Sequence, residues 1–91
     1  MRAMLCHEFG EPRTLKLGEL PEPSVAPGMV KIAVHCAGLN FPDTLMIAGK
    51  YQSQPPFPFA PAIESAGIVT DVGEGVTDIA VGDRVMADHG H

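Results

Sequence analysis

The residues able to do chemistry in this chain are few and scattered. Glu64 stands in "PFAPAIESAGIV", residues 58–69, where its neighbours are small and mostly apolar. A carboxylate there is costly unless it is hydrogen-bonded, paired or turned to water. His35 and Cys36 are adjacent in "VKIAVHCAG". On a strand, neighbouring side chains point to opposite faces, so this pair is not expected to share a metal ion. His89 and His91 could point the same way but lie at the C-terminus, and His7 has no partner nearby in sequence. Spacing therefore offers no zinc-binding set. Asn40 and Asp43 frame "NFPD", and Tyr51 follows in a proline-rich stretch. By residue type alone, Asn40 is a helix cap, Asp43 suits the positive end of a helix dipole, and Tyr51 covers a loop with its ring.

The glycine cluster "GEGVTD", residues 73–78, begins like a dinucleotide fingerprint but has Asp78 where the third glycine belongs. That fingerprint works between a strand and a helix whose N-terminus meets the pyrophosphate. The next residues, "IAVGDRV", have the pattern of strand and turn again, so the cluster reads as a hairpin turn.

Composition narrows the classes. Ninety-one residues with 45% hydrophobic and 19% charged content suit one small globular domain with a modest core. The net charge is −5, and Arg2, Arg13, Lys16, Lys31, Lys50 and Arg84 are spread so that no two adjoin. Neither nucleic acid nor an anionic membrane is an expected partner. Cys6 and Cys36 make no CxxC pair and are expected as buried free thiols of a reducing compartment. The N-terminus reaches Glu8 before any apolar run long enough for a signal sequence, and no segment has the ~20 apolar residues of a membrane span. The expectation is a soluble, cytoplasmic protein.

The elements that must position these residues are short. "RAMLC" and "TLKLGEL" have strand length and alternation, with "EFGEPR" as the turn between them. "LPEPSVAPG" carries three prolines and reads as an extended connection. "MVKIAVHCAGL" is the strongest strand, alternating Val30, Ile32, Val34 and Cys36 with Lys31, Ala33, His35 and Ala37. One helix comes next, capped at Asn40, with Pro42 in its first turn and Gly49 ending it; "TLMIA" is apolar all round, so this helix should be largely buried. "YQSQPPFPFAPA" is loop, and strands return at 67–72 and 84–87. One helix among about five strands predicts a small β-rich barrel.

Three separated motifs in order, "VHCAGLNFPDTLMIAGKY", "PFAPAIESAGIVTDVGEGV" and "VGDRVMA", resemble the N-terminal catalytic domain of medium-chain dehydrogenases/reductases. The similarity is greatest to the zinc-independent quinone oxidoreductase branch and runs from about Met1 to Ala87. It implies a mainly β, GroES-like, partly open barrel with one short helix, residues 1–91 forming an incomplete N-terminal catalytic domain without the family's Rossmann domain. In zinc-dependent siblings a ligand cysteine falls at Asn40 and a ligand histidine at Ile63. Neither replacement suits zinc, so the resemblance implies no catalytic metal.

What it implies for function is an NADPH-dependent enzyme that reduces quinones or related α,β-unsaturated carbonyls by hydride transfer. An enoyl-thioester reductase and a non-catalytic binding or assembly module are the alternatives. By the same resemblance, Asn40, Tyr51 and Asp43 are catalytic, and Asn40 and Glu64 lie at the cofactor. Glu64 is expected to be held by hydrogen bonds in the cleft, converging there with Asn40 and Tyr51. NADPH would be bound mainly by a domain absent here, so the 91 residues alone should be inactive. The family's barrel also takes in a later segment, so exposed strand edges and a homo-oligomer are expected.

Overall fold

The computed structural model describes residues 1–52 and 54–88. Strands β1 (Arg2–Leu5) and β2 (Lys16–Glu19) form an antiparallel pair, joined through a short 3-10 turn at Pro12–Thr14. The second sheet is antiparallel in the order β3 (Val30–Ala37), β4 (Glu64–Val72), β5 (Arg84–Asp88). The helix α1 (Phe41–Ile47) lies between β3 and β4 in sequence. The two sheets do not close on each other, and the architecture is the mainly β, partly open one the sequence predicts. Among the described residues no helix is long and apolar enough to cross a membrane.

The helix forms where its caps are. Asn40 has extended backbone angles, Pro42 fits the first turn, and the Asp43 carboxylate accepts the Asn40 N–H at 2.9 Å. At the other end Lys50 N–H reaches Leu45 C=O at 2.8 Å and Gly49 N–H reaches Met46 C=O at 3.2 Å, a Schellman closure. Gly49 has φ +75, and a Cβ there would meet the Phe9 ring at 2.8 Å. The helix is buried on one side only: Asp43, Met46 and Ile47 face inward while Phe41 and Thr44 are exposed. The expectation of a largely buried helix is corrected: Met46 and Ile47 pack into the cluster with Cys6 and Phe59, and the opposite side is left open.

Met46, Ile47, Cys6 and Phe59 form the central core cluster, with Leu15, Tyr51 and Ile63 packed around it. Cys6 and Phe59 exchange backbone hydrogen bonds at 2.8 and 3.1 Å, tying the end of β1 to the proline-rich loop. That bridge is how an irregular loop satisfies its polar groups while Phe59 is buried. Cys6 is the buried thiol expected, whereas Cys36 is exposed.

β4 begins at Glu64 rather than residue 67. The stretch 64–66 has weak intrinsic strand preference, but it is paired on both sides, with Ser65 opposite Ala37 and Ala87. Cross-strand pairing overrides propensity here. Along β4, Ser65, Gly67 and Val69 are buried, and Glu64, Ala66 and Ile68 are turned to the more exposed face.

Candidate functional site

Three sequence-predicted residues sit at one end of the β3–β4 ladder. β3 ends at Ala37, Gly38 N–H donates to Glu64 C=O at 3.3 Å, and the chain then reaches Asn40 and α1. Asn40 and Asp43 are in direct contact: besides the Asn40 N–H bond to Asp43 Oδ2, Asp43 N–H donates to Asn40 C=O at 3.0 Å. Asp43 is only 5% exposed. Two side-chain atoms of this pair, Asn40 Nδ2 and Asp43 Oδ1, are buried without a hydrogen-bond partner among the described residues. Each orphaned group costs free energy, and one is a donor while the other is an acceptor. Leu39 and Phe41, 91% and 73% exposed, flank them with apolar surface.

Tyr51 is partly buried and packs against the core cluster, as Ile63 does. Glu64 is exposed. Successive strand residues point to opposite faces, so Ile63 turns to the core and Glu64 turns away from it. Its side chain lies across Gly38, where any Cβ would collide with the carboxylate. Among the described residues the Glu64 carboxylate makes no hydrogen bond or ion pair, so the expected set of buried bonds is corrected: solvent answers its charge. Just before it, Ala62 adopts φ +123, a left-handed conformation that side-chain-bearing residues rarely take. Glu64 lines a concavity of about 370 Å³ with Cys36, Met86 and Asp88, which neither Asn40 nor Tyr51 borders.

His35 and Cys36 depart from simple alternation. A register shift between Val34 and Cys36 leaves His35 unpaired, and both residues approach Ala66 and Met86 on the same face. A bulge of this kind is not written in residue types. Even so, among the described residues no three His, Cys, Asp or Glu side chains gather as metal ligands. His89 and His91 lie outside the described residues. The "GEGVTD" cluster is a turn between β4 and β5, with Val76 N–H bonded to Gly73 C=O at 3.2 Å, and no helix comes after it among the described residues. The clear titration effect lies elsewhere: burial pushes the Cys6 thiol upward, partly offset by its bond to Glu8 C=O.

Residues 26–90 match the alcohol dehydrogenase GroES-like domain, most of the chain. This chain belongs to that family. The quinone oxidoreductase-like protein 2 homolog of Nematostella vectensis is 40% identical over 85 residues, covering 93% of this chain and 23% of the relative. The human synaptic vesicle membrane protein VAT-1 homolog-like protein superposes with a TM-score of 0.91 at 38% identity, over 97% of this chain and 28% of that one. The native structure of mycobacterial Rv1454c complexed with NADPH gives a TM-score of 0.87 at 35% identity, over 98% of this chain and 28% of that one. The chain thus spans about a quarter of the length of the relatives it matches. Asn40 and Asp43 lie within the matched residues 26–90.

Proposed function

We propose that this chain is the catalytic barrel of an oxidoreductase that reduces quinones or related α,β-unsaturated carbonyls with NADPH and without zinc. The observation that carries the reading is the unpartnered Asn40 Nδ2, buried beside an unpartnered Asp43 Oδ1 and bordered by exposed Leu39 and Phe41. An amide donor preset toward a substrate carbonyl stabilises the charge that develops on its oxygen as reduction proceeds. Asp43 fixes the Asn40 backbone through its other oxygen, so the donor is held before substrate arrives. Asn40 is the residue that would face the nicotinamide, whose bound form supplies the hydride. The Tyr51 hydroxyl is assigned to proton donation at the edge of the cleft. We assign Glu64 to contact with the cofactor-bearing part of the whole protein, since its carboxylate faces outward. The similarity to quinone oxidoreductase-like proteins and to a structure complexed with NADPH supports this assignment.

Zinc independence rests on side-chain chemistry. An isoleucine at Ile63 cannot ligate, and a neutral amide at Asn40 is a poor substitute for thiolate. The reading takes the protein as cytoplasmic and homo-oligomeric, in keeping with its acidic balance and its unpaired thiols. An enoyl-thioester reductase is the second reading, favoured by the position of Tyr51 as a proton donor on a firm base. In the protein that carries this barrel with its nucleotide-binding part, NADPH oxidation is compared with a quinone and with an enoyl-CoA. Asn40→Ala should lower kcat by about 10²-fold, the scale of one lost oxyanion donor. Equal turnover by Asn40→Ala would overturn the assignment, and exclusive use of the enoyl-CoA would favour the second reading.

A further inference from the structure

We infer that Glu64 is a positioning residue, whose side chain lies against Gly38 and so fixes where the chain leaving β3 delivers Asn40. The inference rests on the proposed role of Asn40 as donor to a substrate carbonyl. It is separate from the outward contact assigned to the same carboxylate.

The contact is built into the register of the sheet. Ala37 pairs with Ser65, so Gly38 falls opposite Glu64, and Glu64 is itself opposite Asp88. Gly38 leaves open the space that the Glu64 side chain fills. A Cβ on residue 38 would stand 2.9 Å from Glu64 Cγ and 2.8 Å from its Cδ, and closer still to Oε1. Because Cγ is met as well as the tip, turning the carboxylate alone does not clear the clash. The whole side chain or the chain at residue 38 must move. On the other side stands the Asp88 carboxylate, and like charges directly opposite on a sheet repel. That repulsion favours the Gly38 side for Glu64.

The chain that follows Gly38 has little else to steady it. Leu39 is 91% exposed and adds no packing. Gly38 N–H reaches Glu64 C=O at 3.3 Å, a long bond, so the side chain lying across Gly38 limits how far residues 38–39 can swing. Asn40 comes next, and any swing carries its amide along. A misplacement of about 1 Å at a reacting group is enough to cost turnover heavily.

Glu64 is itself firmly set. Ile63 packs against the core cluster and Ser65 is buried, so the backbone between them cannot slide. Ala62, two residues before Glu64, holds φ +123. Such strain persists where the surroundings over-determine a conformation, and it gathers at functional positions. Here it brings Ile63 into the core and leaves the next residue facing Gly38.

The test uses the protein that carries this barrel with its nucleotide-binding part, with NADPH and a quinone, each variant being checked for fold by circular dichroism. Gly38→Ala and Glu64→Ala should each lower kcat by about 10-fold or more. Glu64→Gln keeps the shape without the charge and should recover most of what Glu64→Ala loses, whereas loss of the outward contact would raise KM for NADPH. In the double variant Gly38→Ala with Glu64→Ala, the added methyl takes up the vacated space and kcat should return to within about 3-fold of the parent. In an Asn40→Ala background, Glu64→Ala should change kcat by less than about 2-fold, because both act through one amide. If Gly38→Ala does not fold, the three Glu64 comparisons still decide. Unchanged kcat in Glu64→Ala, no recovery in Glu64→Gln or in the double variant, or a full effect without Asn40 would each overturn the inference. Full turnover by Asn40→Ala would instead remove the donor reading itself. A fall with Asn40→Ala and none with Glu64→Ala would leave that reading standing and sink only this one.

Discussion

Burial of Cys6 raises its thiol pKa from an ordinary value of 9.0, and the sign of the consequence is fixed. Folded chain holds the proton that unfolded chain gives up first. The contribution to stability is complete below pH 9.0 and falls as pH rises above it. Thermal unfolding followed from about pH 8 to about pH 10 should show a steeper fall for the native sequence than for Cys6→Ala, because only the native sequence has this linkage. Parallel curves would show that Cys6 is not the source. Glu64 makes the complementary point at the same scale. Its presence among apolar neighbours was evident in the sequence, but which way it turned was not, because that depends on where Ile63 meets the core. Strand alternation opposes His35 and Cys36, but alternation is local, whereas the bulge that sets them on one face is fixed by the opposing strand.

At the scale of elements, α1 is held by its ends more than by its length. Seven residues cannot sustain a helix on propensity, so capping and the inward face of Met46 and Ile47 must do so. Asp43→Ala removes the acceptor of the Asn40 N–H and should destabilise the fold by about 1–2 kcal/mol. Gly49→Ala meets both the positive φ and the Phe9 ring, and should cost about 1–3 kcal/mol. Urea denaturation measures both, and a change below about 0.5 kcal/mol in either would contradict the role given to these ends. These features were legible because caps and terminating glycines are written within a few residues of the helix they bound. The early start of β4 was not legible, since Glu64, Ser65 and Ala66 become a strand only through neighbours far away in sequence.

At the scale of the whole molecule, no described segment sets a glycine fingerprint between a strand and a helix. The core is small, built on Cys6, Met46, Ile47 and Phe59, and large hydrophobic residues such as Val34, Leu39, Phe41 and Met86 remain exposed. Hydride transfer from a dinucleotide needs the reacting carbon of the cofactor held at near-contact distance from substrate, and in such reactions that positioning falls to the protein. Among the described residues the only fingerprint-like glycine cluster is a turn between two antiparallel strands. It presents no helix N-terminus to a pyrophosphate. An unpartnered Asn40 amide can orient a carbonyl but cannot by itself offset the freedom a dinucleotide loses on binding. The 91-residue chain should therefore bind NADPH more weakly than about 1 mM, a free energy of about −4 kcal/mol, and should not accelerate quinone reduction. Isothermal titration calorimetry and NADPH absorbance decide this. A dissociation constant in the micromolar range, or turnover lost on Asn40→Ala, would mean that the barrel alone forms a working cofactor site and that its open face, rather than a second domain, carries the nucleotide.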